Sequence, residues 1–298
     1  MRSARVLIDS PDVVVREVTC HDHHSAWSEP QETGAVQVIL ARRGRFRLDA
    51  SHRSGRSGRD GTLTIDPTTG YLHGPGAVQR FAHPAGGDVC TSITFVGGAL
   101  TGEPWLEDAV RAPSSHEVRV DARLELAHRL LLRTGAHPSD PSGAVETVLD
   151  LLTLALRGGP AGAPPAPGRV GLARLAREAI LAGVPESGGL VSLARLLGTS
   201  PSHLSRTFRH HTGMPVGRYR NRARVSRALA RIEEGETDLA ALAAGLGFSD
   251  QAHLTRVMRA ELGRTPGQVV ALLTARPARH EPPAPSPAPS PAGRGRRA

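Results

Sequence analysis

The side chains best suited to chemistry fall into two matching sets. Ser202, His203, Ser205, Arg206 and Arg209 make up one; Asp250, Gln251, His253, Thr255, Arg256 and Arg259 make up the other. Shifting the chain by 50 residues lays His203-Leu204-Ser205-Arg206 over His253-Leu254-Thr255-Arg256, Phe208-Arg209 over Met258-Arg259 and Gly213 over Gly263. A duplication has to be interpreted before any single residue in it. Leu204 and Phe208 lie four apart, as do Leu254 and Met258, so on a helix each pair shares one face and belongs in a core. The polar residues between them point elsewhere. Arg pairs with guanine, Gln with adenine, and Ser or Thr with a base or a phosphate, so both sets are candidate contacts in a DNA major groove. A single such set reads equally well as a solvated helix face; its recurrence at a fixed offset favours the groove.

These sets need helices held against partners. Residues 191–197 and 238–244 each read as a short helix, followed by a turn with Gly198 or Gly247 and a longer helix from 202 or 250. Ser200 before Pro201 and Ser249 before Asp250 are the expected N-caps. Two helices joined in this way form a helix-turn-helix, here at about 190–211 and 238–261. Between the copies, helical periodicity runs from Pro215 to Glu234, with Val225, Ala228, Leu229 and Ile232 on one face and Arg220, Arg224, Arg227 and Arg231 on another. Some 20 helical residues span roughly 30 Å, close to the roughly 34 Å turn of B-DNA. The arginine row has three readings: phosphate contacts, a solvated face, or a face that includes one buried ion pair.

The chain has 298 residues with 37 basic and 28 acidic side chains, a formal charge of +9, and every basic residue is Arg. That charge is uneven. Residues 1–156 carry 16 Arg against 19 acids, a net of −3, whereas residues 169–280 carry 17 Arg against 8, a net of +9. A basic segment beside a slightly acidic one suggests a polyanion-binding module joined to a unit that binds none. Apolar residues at 39% and charged ones at 22% exclude a wholly disordered or membrane-embedded chain. The longest apolar stretch, residues 148–156, contains Asp150 and is about half of what a bilayer span needs. Asp9 stands where a secretory leader would run apolar, so a cytoplasmic location is expected. Two cysteines, Cys20 and Cys90, are too few for a disulfide scaffold or a four-cysteine zinc site.

Residues 158–168 are too rich in Pro and Gly for a helix or strand and read as a linker; residues 277–298 read as a disordered Pro/Ala/Arg tail. Before the linker, the runs 36–41, 45–48, 62–65 and 89–96 are β-branched and aromatic between turn residues, which suggests an antiparallel sandwich or barrel over residues 1–120. Within 121–157 the period becomes helical: Leu124, Ala127, His128, Leu131 and Leu132 share one face, and Val145, Val148, Leu149, Leu152 and Leu156 another. This hairpin either packs on the β core or dimerises. The expected class is α+β, an N-terminal β-barrel with a helical hairpin followed by an all-α domain at 169–276.

Over residues 172–272 the chain resembles the AraC/XylS family of bacterial transcription regulators. The resemblance is carried by His203-Leu204-Ser205-Arg206-x-Phe208, Gly213-x-Pro215, Tyr219 with Arg224 and Ala228-Leu229, and above all Leu242-Ala243-x3-Gly247-Phe248-Ser249-Asp250-Gln251-x-His253-Leu254-Thr255-Arg256 through Gly263-x-Thr265-Pro266. It implies a seven-helix, double helix-turn-helix DNA-binding domain, promoter DNA and RNA polymerase as partners, and no catalytic residue. Ser202, Ser205, Arg206, Gln251, Thr255 and Arg256 match the family's DNA-contacting positions; Leu254 and Met258 stand where it usually has Phe. More weakly, Gly70 to Phe81 is similar to a cupin-like effector domain, with Pro75-Gly76 at its turn. Metal-binding cupins have His near Gln79, and Gln is a poor transition-metal ligand. No cofactor is expected.

Other groups in the first half have competing readings. His21, His23 and His24, with His73 and His83, have the donor type for zinc or nickel, yet no HxH with a correctly spaced carboxylate is present and Glu29 lies too far along, so no metal site is assigned. Cys20 and Cys90 are a thiol sensor pair or simply buried residues. Among Trp27, Trp105, Tyr71, Phe46 and Phe81, one or two are candidates to line a small-molecule pocket anchored by Arg45 or Arg80. The leading expectation is an effector-responsive regulator, monomer or homodimer, without a membrane partner. The competing one is a cupin-type metalloenzyme, or a metal or thiol sensor, whose basic half is an accessory.

Overall fold

A computed structural model describes residues 2–21, 23–49, 62–84, 86–96, 116–134, 146, 148, 150–151 and 167–274. Ten strands come first: β1 (Arg2–Asp9), β2 (Val13–Cys20), β3 (Gln31–Glu32), β4 (Val36–Arg43), β5 (Phe46–Asp49), β6 (Thr62–Ile65), β7 (Thr69–His73), β8 (Val78–Ala82), β9 (Asp88–Phe95) and β10 (His116–Arg119). They form a six-stranded sheet, β1-β2-β9-β4-β7-β10, and a four-stranded sheet, β3-β8-β5-β6.

Alternation along the central strands explains the layering. On β4, Val38 and Leu40 join Val15, Leu72, Ile93 and Phe95 on one face, while Ile39 and Ala41 join Phe46, Leu48, Ile65, Tyr71 and Cys90 on the other. The large sheet is therefore apolar on both sides and is covered on both. The small sheet covers one side. Helix α1 (Ala122–Thr134) and the buried helical residues Val148 and Leu151 cover the other. The barrel expected from the sequence does not close: among the described residues no ladder joins the edges of the two sheets, so the half is a two-sheet sandwich. With apolar residues on both faces, β4, β7 and β9 form the middle of three layers rather than a wall around a lumen.

Helix α1 starts where the Asp121 side chain accepts from the Leu124 N–H at 2.8 Å. It has two working faces. Leu124, Leu131 and Leu132 meet the sheet, as the periodicity predicts, while Ala122 and Leu126 enter the core of the helical half. The second hairpin helix is described only at Glu146, Val148, Asp150 and Leu151.

The C-terminal half contains α2 (Pro167–Ala182), a 3-10 turn (Pro185–Gly188), α3 (Leu190–Leu196), α4 (Pro201–Thr212), α5 (Val216–Glu233), α6 (Leu239–Gly245), α7 (Gln251–Leu262) and α8 (Pro266–Thr274). Pro167 and Gly168, expected in the linker, open α2 instead, because proline's fixed φ suits a first helical turn. Residues 158–166 of that linker and the tail at 277–298 lie outside the described residues. Helix α5 spans two cores. Val216, Tyr219 and Ala223 pack with α2, α3 and α4, and Val225, Ala228, Leu229 and Ile232 pack with α6, α7 and α8.

Buried ion pairs join the halves. Glu125 on α1, 2% exposed, receives Arg222 Nη1 at 2.6 Å, Arg129 Nη2 at 2.8 Å and the Ser226 hydroxyl at 2.8 Å. Burial alone raises this carboxyl, but the charges of Arg222 and Arg129 outweigh it and hold the group below its ordinary range. Glu233 extends the network to Arg129 and, at 2.8 Å, to Arg42 on β4. A second contact sets Asp66 against Arg177 of α2 at 2.6 Å, with the Tyr219 hydroxyl donating to the same carboxylate.

Candidate nucleic-acid interface

The two helix-turn-helix units repeat at the level of backbone hydrogen bonds. After α3, Gly198 takes φ +62° and the N–H groups of Gly198 and Thr199 donate to Arg195 and Ala194; after α6, Gly247 takes φ +73° and Gly247 and Phe248 donate to Ala244 and Ala243. Ser200 caps α4, accepting from the His203 N–H at 3.2 Å. The cap of α7 is Asp250, not the expected Ser249: its carboxylate accepts from the His253 N–H at 2.6 Å. An offset of 50 sets Asp250 opposite Ser200, because the second turn is one residue longer than the first.

Burial repeats at the same offset. Leu204, Thr207 and Phe208 are buried on α4, as Leu254, Val257 and Met258 are on α7, while Arg206, Arg209, Arg256 and Arg259 are exposed. The departure from the family pattern at Leu254 and Met258 thus lies in the core. Among the described residues none of those four arginines pairs with a carboxylate. Ser202, His203 and Gln251 are exposed beside them, and Ser205 is half-buried.

Three candidates are engaged locally, at the start of α7 or in the turn before it. Asp250 also accepts from the Ser249 hydroxyl at 3.2 Å; the hydrogen bond from His253, followed by Ser249 and the Arg256 charge, holds its carboxyl below the ordinary range. His253 packs edge-on against Phe248 at 5.3 Å, and its Nδ1 lies 3.2 Å from the Ser249 hydroxyl. The Thr255 hydroxyl donates to the Gln251 carbonyl at 2.9 Å.

The arginine row on α5 divides. Arg231 pairs with Glu236 at 2.6 Å. Arg220, Arg224 and Arg227 are half-buried, and among the described residues none meets a carboxylate. Burial lowers all three, Arg224 further through the charges of Arg220 and Arg227. Clustered cations partly removed from water with no counter-charge suit phosphates. The fully buried arginine of α5 is Arg222, off this row.

The remaining candidates lie in the sandwich. A cavity of about 260 Å³ is lined by Phe46, Tyr71 and Phe81 together with Cys20, His83, Asp88 and Cys90. Arg45 instead reaches the Glu178 carbonyl and Arg80 the Ser28 carbonyl, so neither anchors this space. Trp27 lies under Arg47, and Trp105 is outside the described residues. The five histidines do not gather. His24 and His83 meet with ring centroids 5.0 Å apart, His21 and His23 are exposed, and His73 is buried against Tyr71. Gln79 is buried at 4% exposure. Asp88, passed over in the sequence, stands between the two thiols: it faces Cys20 across the β2–β9 ladder and accepts from Cys90 Sγ at 2.9 Å. Only the i, i+2 spacing of Asp88 and Cys90 on one strand was legible beforehand.

Residues 193–271 match a family model described as a helix-turn-helix domain. The chain is 31% identical over 78 residues to the HTH-type transcriptional regulator GlxA of Rhizobium meliloti (strain 1021), covering 26% of this chain and 24% of that protein. It is 30% identical over 77 residues to the probable transcription factor PqrA of Proteus vulgaris, covering 26% of this chain and 63% of that one. The match thus spans less than two thirds of either relative. Among solved structures, unsaturated fatty acid bound ToxT from Vibrio cholerae strain SCE256 aligns over 89% of this chain and 97% of its own at 12% identity, with a TM-score of 0.34. The C-terminal domain of AraT, a response regulator from Geobacillus stearothermophilus, aligns over 36% and 87% at 23% identity, with a TM-score of 0.32. The repeated units and the sequence match together define the class of the C-terminal half. It is a double helix-turn-helix domain, behind an N-terminal antiparallel β half. Among the described residues no helix is long and apolar enough to cross a membrane.

Proposed function

We propose that the chain is a sequence-specific DNA-binding regulator of transcription. One observation carries this reading: α4 and α7 are alike in burial, each presents two exposed arginines without an acidic partner, and they flank one helix of 18 residues. At about 1.5 Å per residue that helix is roughly 27 Å long, which suits entry of α4 and α7 into successive major grooves on one side of the duplex. Ser202, His203, Ser205, Arg206 and Arg209 read one half-site. Gln251, Thr255, Arg256 and Arg259 read the other, with Asp250 and His253 setting the start of α7. Arg220, Arg224 and Arg227 are placed on phosphates.

In this reading the sandwich cavity takes a small-molecule effector, whose binding shifts the halves against each other across the Glu125 and Asp66 contacts. RNA polymerase is the further partner, and a second copy of the chain completes a longer site. No catalysis is required.

The test is footprinting on DNA upstream of the protein's own and neighbouring reading frames, followed by gel shifts with Arg206→Ala and Arg256→Ala. Each substitution is expected to cost about 1–3 kcal/mol of specific binding. Unchanged affinity in both variants rejects the reading.

A further inference from the structure

The cavity wall contains an arrangement that the DNA-binding function does not use. Cys20, His83 and Asp88 each direct one donor atom into a common space, the three atoms lying within 4.8 Å of one another. Their convergence is built by pairing: Cys20 at the end of β2 is opposite Asp88 at the start of β9, and His83 bridges to His24 just after β8.

Ring nitrogens and a carboxylate face one another across that space. His24 Nδ1 lies 2.8 Å from the Ala26 carbonyl, which only accepts, so Nδ1 is the donor. His24 Nε2 and His83 Nδ1 lie 3.3 Å apart, so the two rings hold each other in place. His83 Nε2 lies 3.1 Å from Asp88 Oδ1. Asp88 is 5% exposed, its Oδ2 is engaged by Cys90, and its Oδ1 has no hydrogen-bond partner. A buried carboxylate oxygen left without a hydrogen bond, with a ring nitrogen and a thiol beside it, is a place for positive charge.

We infer that Cys20 Sγ, His83 Nε2 and Asp88 Oδ1 bind one divalent metal ion of the zinc class, with His24 and Cys90 orienting the ligands. Sulfur, imidazole and carboxylate together suit zinc. Tetrahedral zinc, with bonds of about 2.0–2.3 Å, sets its donors roughly 3–4 Å apart, a spacing the nitrogen–oxygen pair already has. With Nε2 on the metal, His83 Nδ1–H faces His24 Nε2, the kind of fixed outer partner that metal-bound imidazoles have. Burial and the Asp88 charge raise the Cys20 thiol, so the metal has to displace its proton on binding. Three protein ligands leave a fourth position on the cavity side for water or a ligand.

The experiment uses full-length protein without an affinity tag, stripped with chelator and titrated with cobalt(II), then zinc(II). The expected result is a thiolate-to-cobalt charge-transfer band that saturates at one equivalent and is abolished by zinc. Cys20→Ser should lose the band, Cys90→Ser should keep it, and His83→Gln and Asp88→Asn should weaken zinc by more than about tenfold, the least that losing even an outer-shell partner costs such a site. Absence of the band in the unmodified protein overturns the inference, and that measurement needs no variant to fold. Cobalt bound without the band, as at exposed His21 and His23, overturns it too, as does a band that survives Cys20→Ser.

Discussion

Along α5 one guanidinium group serves different purposes according to its surroundings. Arg222 is 2% exposed and neutralises Glu125, Arg231 pairs at the surface with Glu236, and Arg220, Arg224 and Arg227 keep their charge without an acidic partner. A helical wheel sorts these residues by direction, but what each direction meets depends on a partner 97 positions away for Arg222. Buried histidine shows the same dependence. Burial lowers His73 to about 4, and burial with the charges of Arg42 and Arg129 lowers His128 to about 3. Both stay neutral in the folded chain, whereas the unfolded chain takes up protons below about pH 6.5. Unfolded protein then binds more protons, so stability is complete above pH 6.5 and falls as pH drops toward 4 and then 3. The slope is up to about 1.4 kcal/mol per pH unit for each histidine. Urea midpoints at pH 7.5 and 5.0 should differ in that sense; equal midpoints would refute it.

Helix ends are where the duplication is most literal. Gly213 and Gly263 close α4 and α7 at φ +72° and +71°, and Ser200 and Asp250 open them. Gly263→Ala places a Cβ in the left-handed region, where L-residues are disfavoured by about 1–2 kcal/mol, with room around it, so the loss should be backbone strain alone. Asp250→Ala removes the α7 cap, so it should lower stability. Thermal denaturation should show both losses, and Ser249→Ala should be milder, since Ser249 supports the cap without being it. Caps and turns were readable in advance because they depend on a few adjacent residues. The choice between Ser249 and Asp250 was misread by one position because the two turns differ in length.

Across the molecule, an acidic half and a basic half are held together by buried ion pairs. Removing one partner leaves the other charge buried, which typically costs about 3–5 kcal/mol. Glu125→Ala strands Arg222, whose remaining partners are the carbonyls of Pro67, Val120 and Asp121. We expect a loss of about that size in urea unfolding, and a smaller one when Arg222→Met accompanies Glu125→Met, because the pair is then replaced by apolar contact. A full-sized loss in the double variant would show that the ion pair itself stabilises the interface. Ala122 and Leu126 reinforce the joint by lying in the helical core, so the halves share α1 rather than merely touching.

The double reader was legible in the residue order because helix period, caps and the 50-residue duplication are local or self-referential patterns. The hydrophobic alternation likewise announced an antiparallel β half, although not whether it closes. Folding alone settled which α1 residues face the sheet and which the helical core, and that Cys20, His83 and Asp88 share one space. Such placements arise from strand register and layer packing between distant segments, and no short window of sequence encodes where its counterpart will lie.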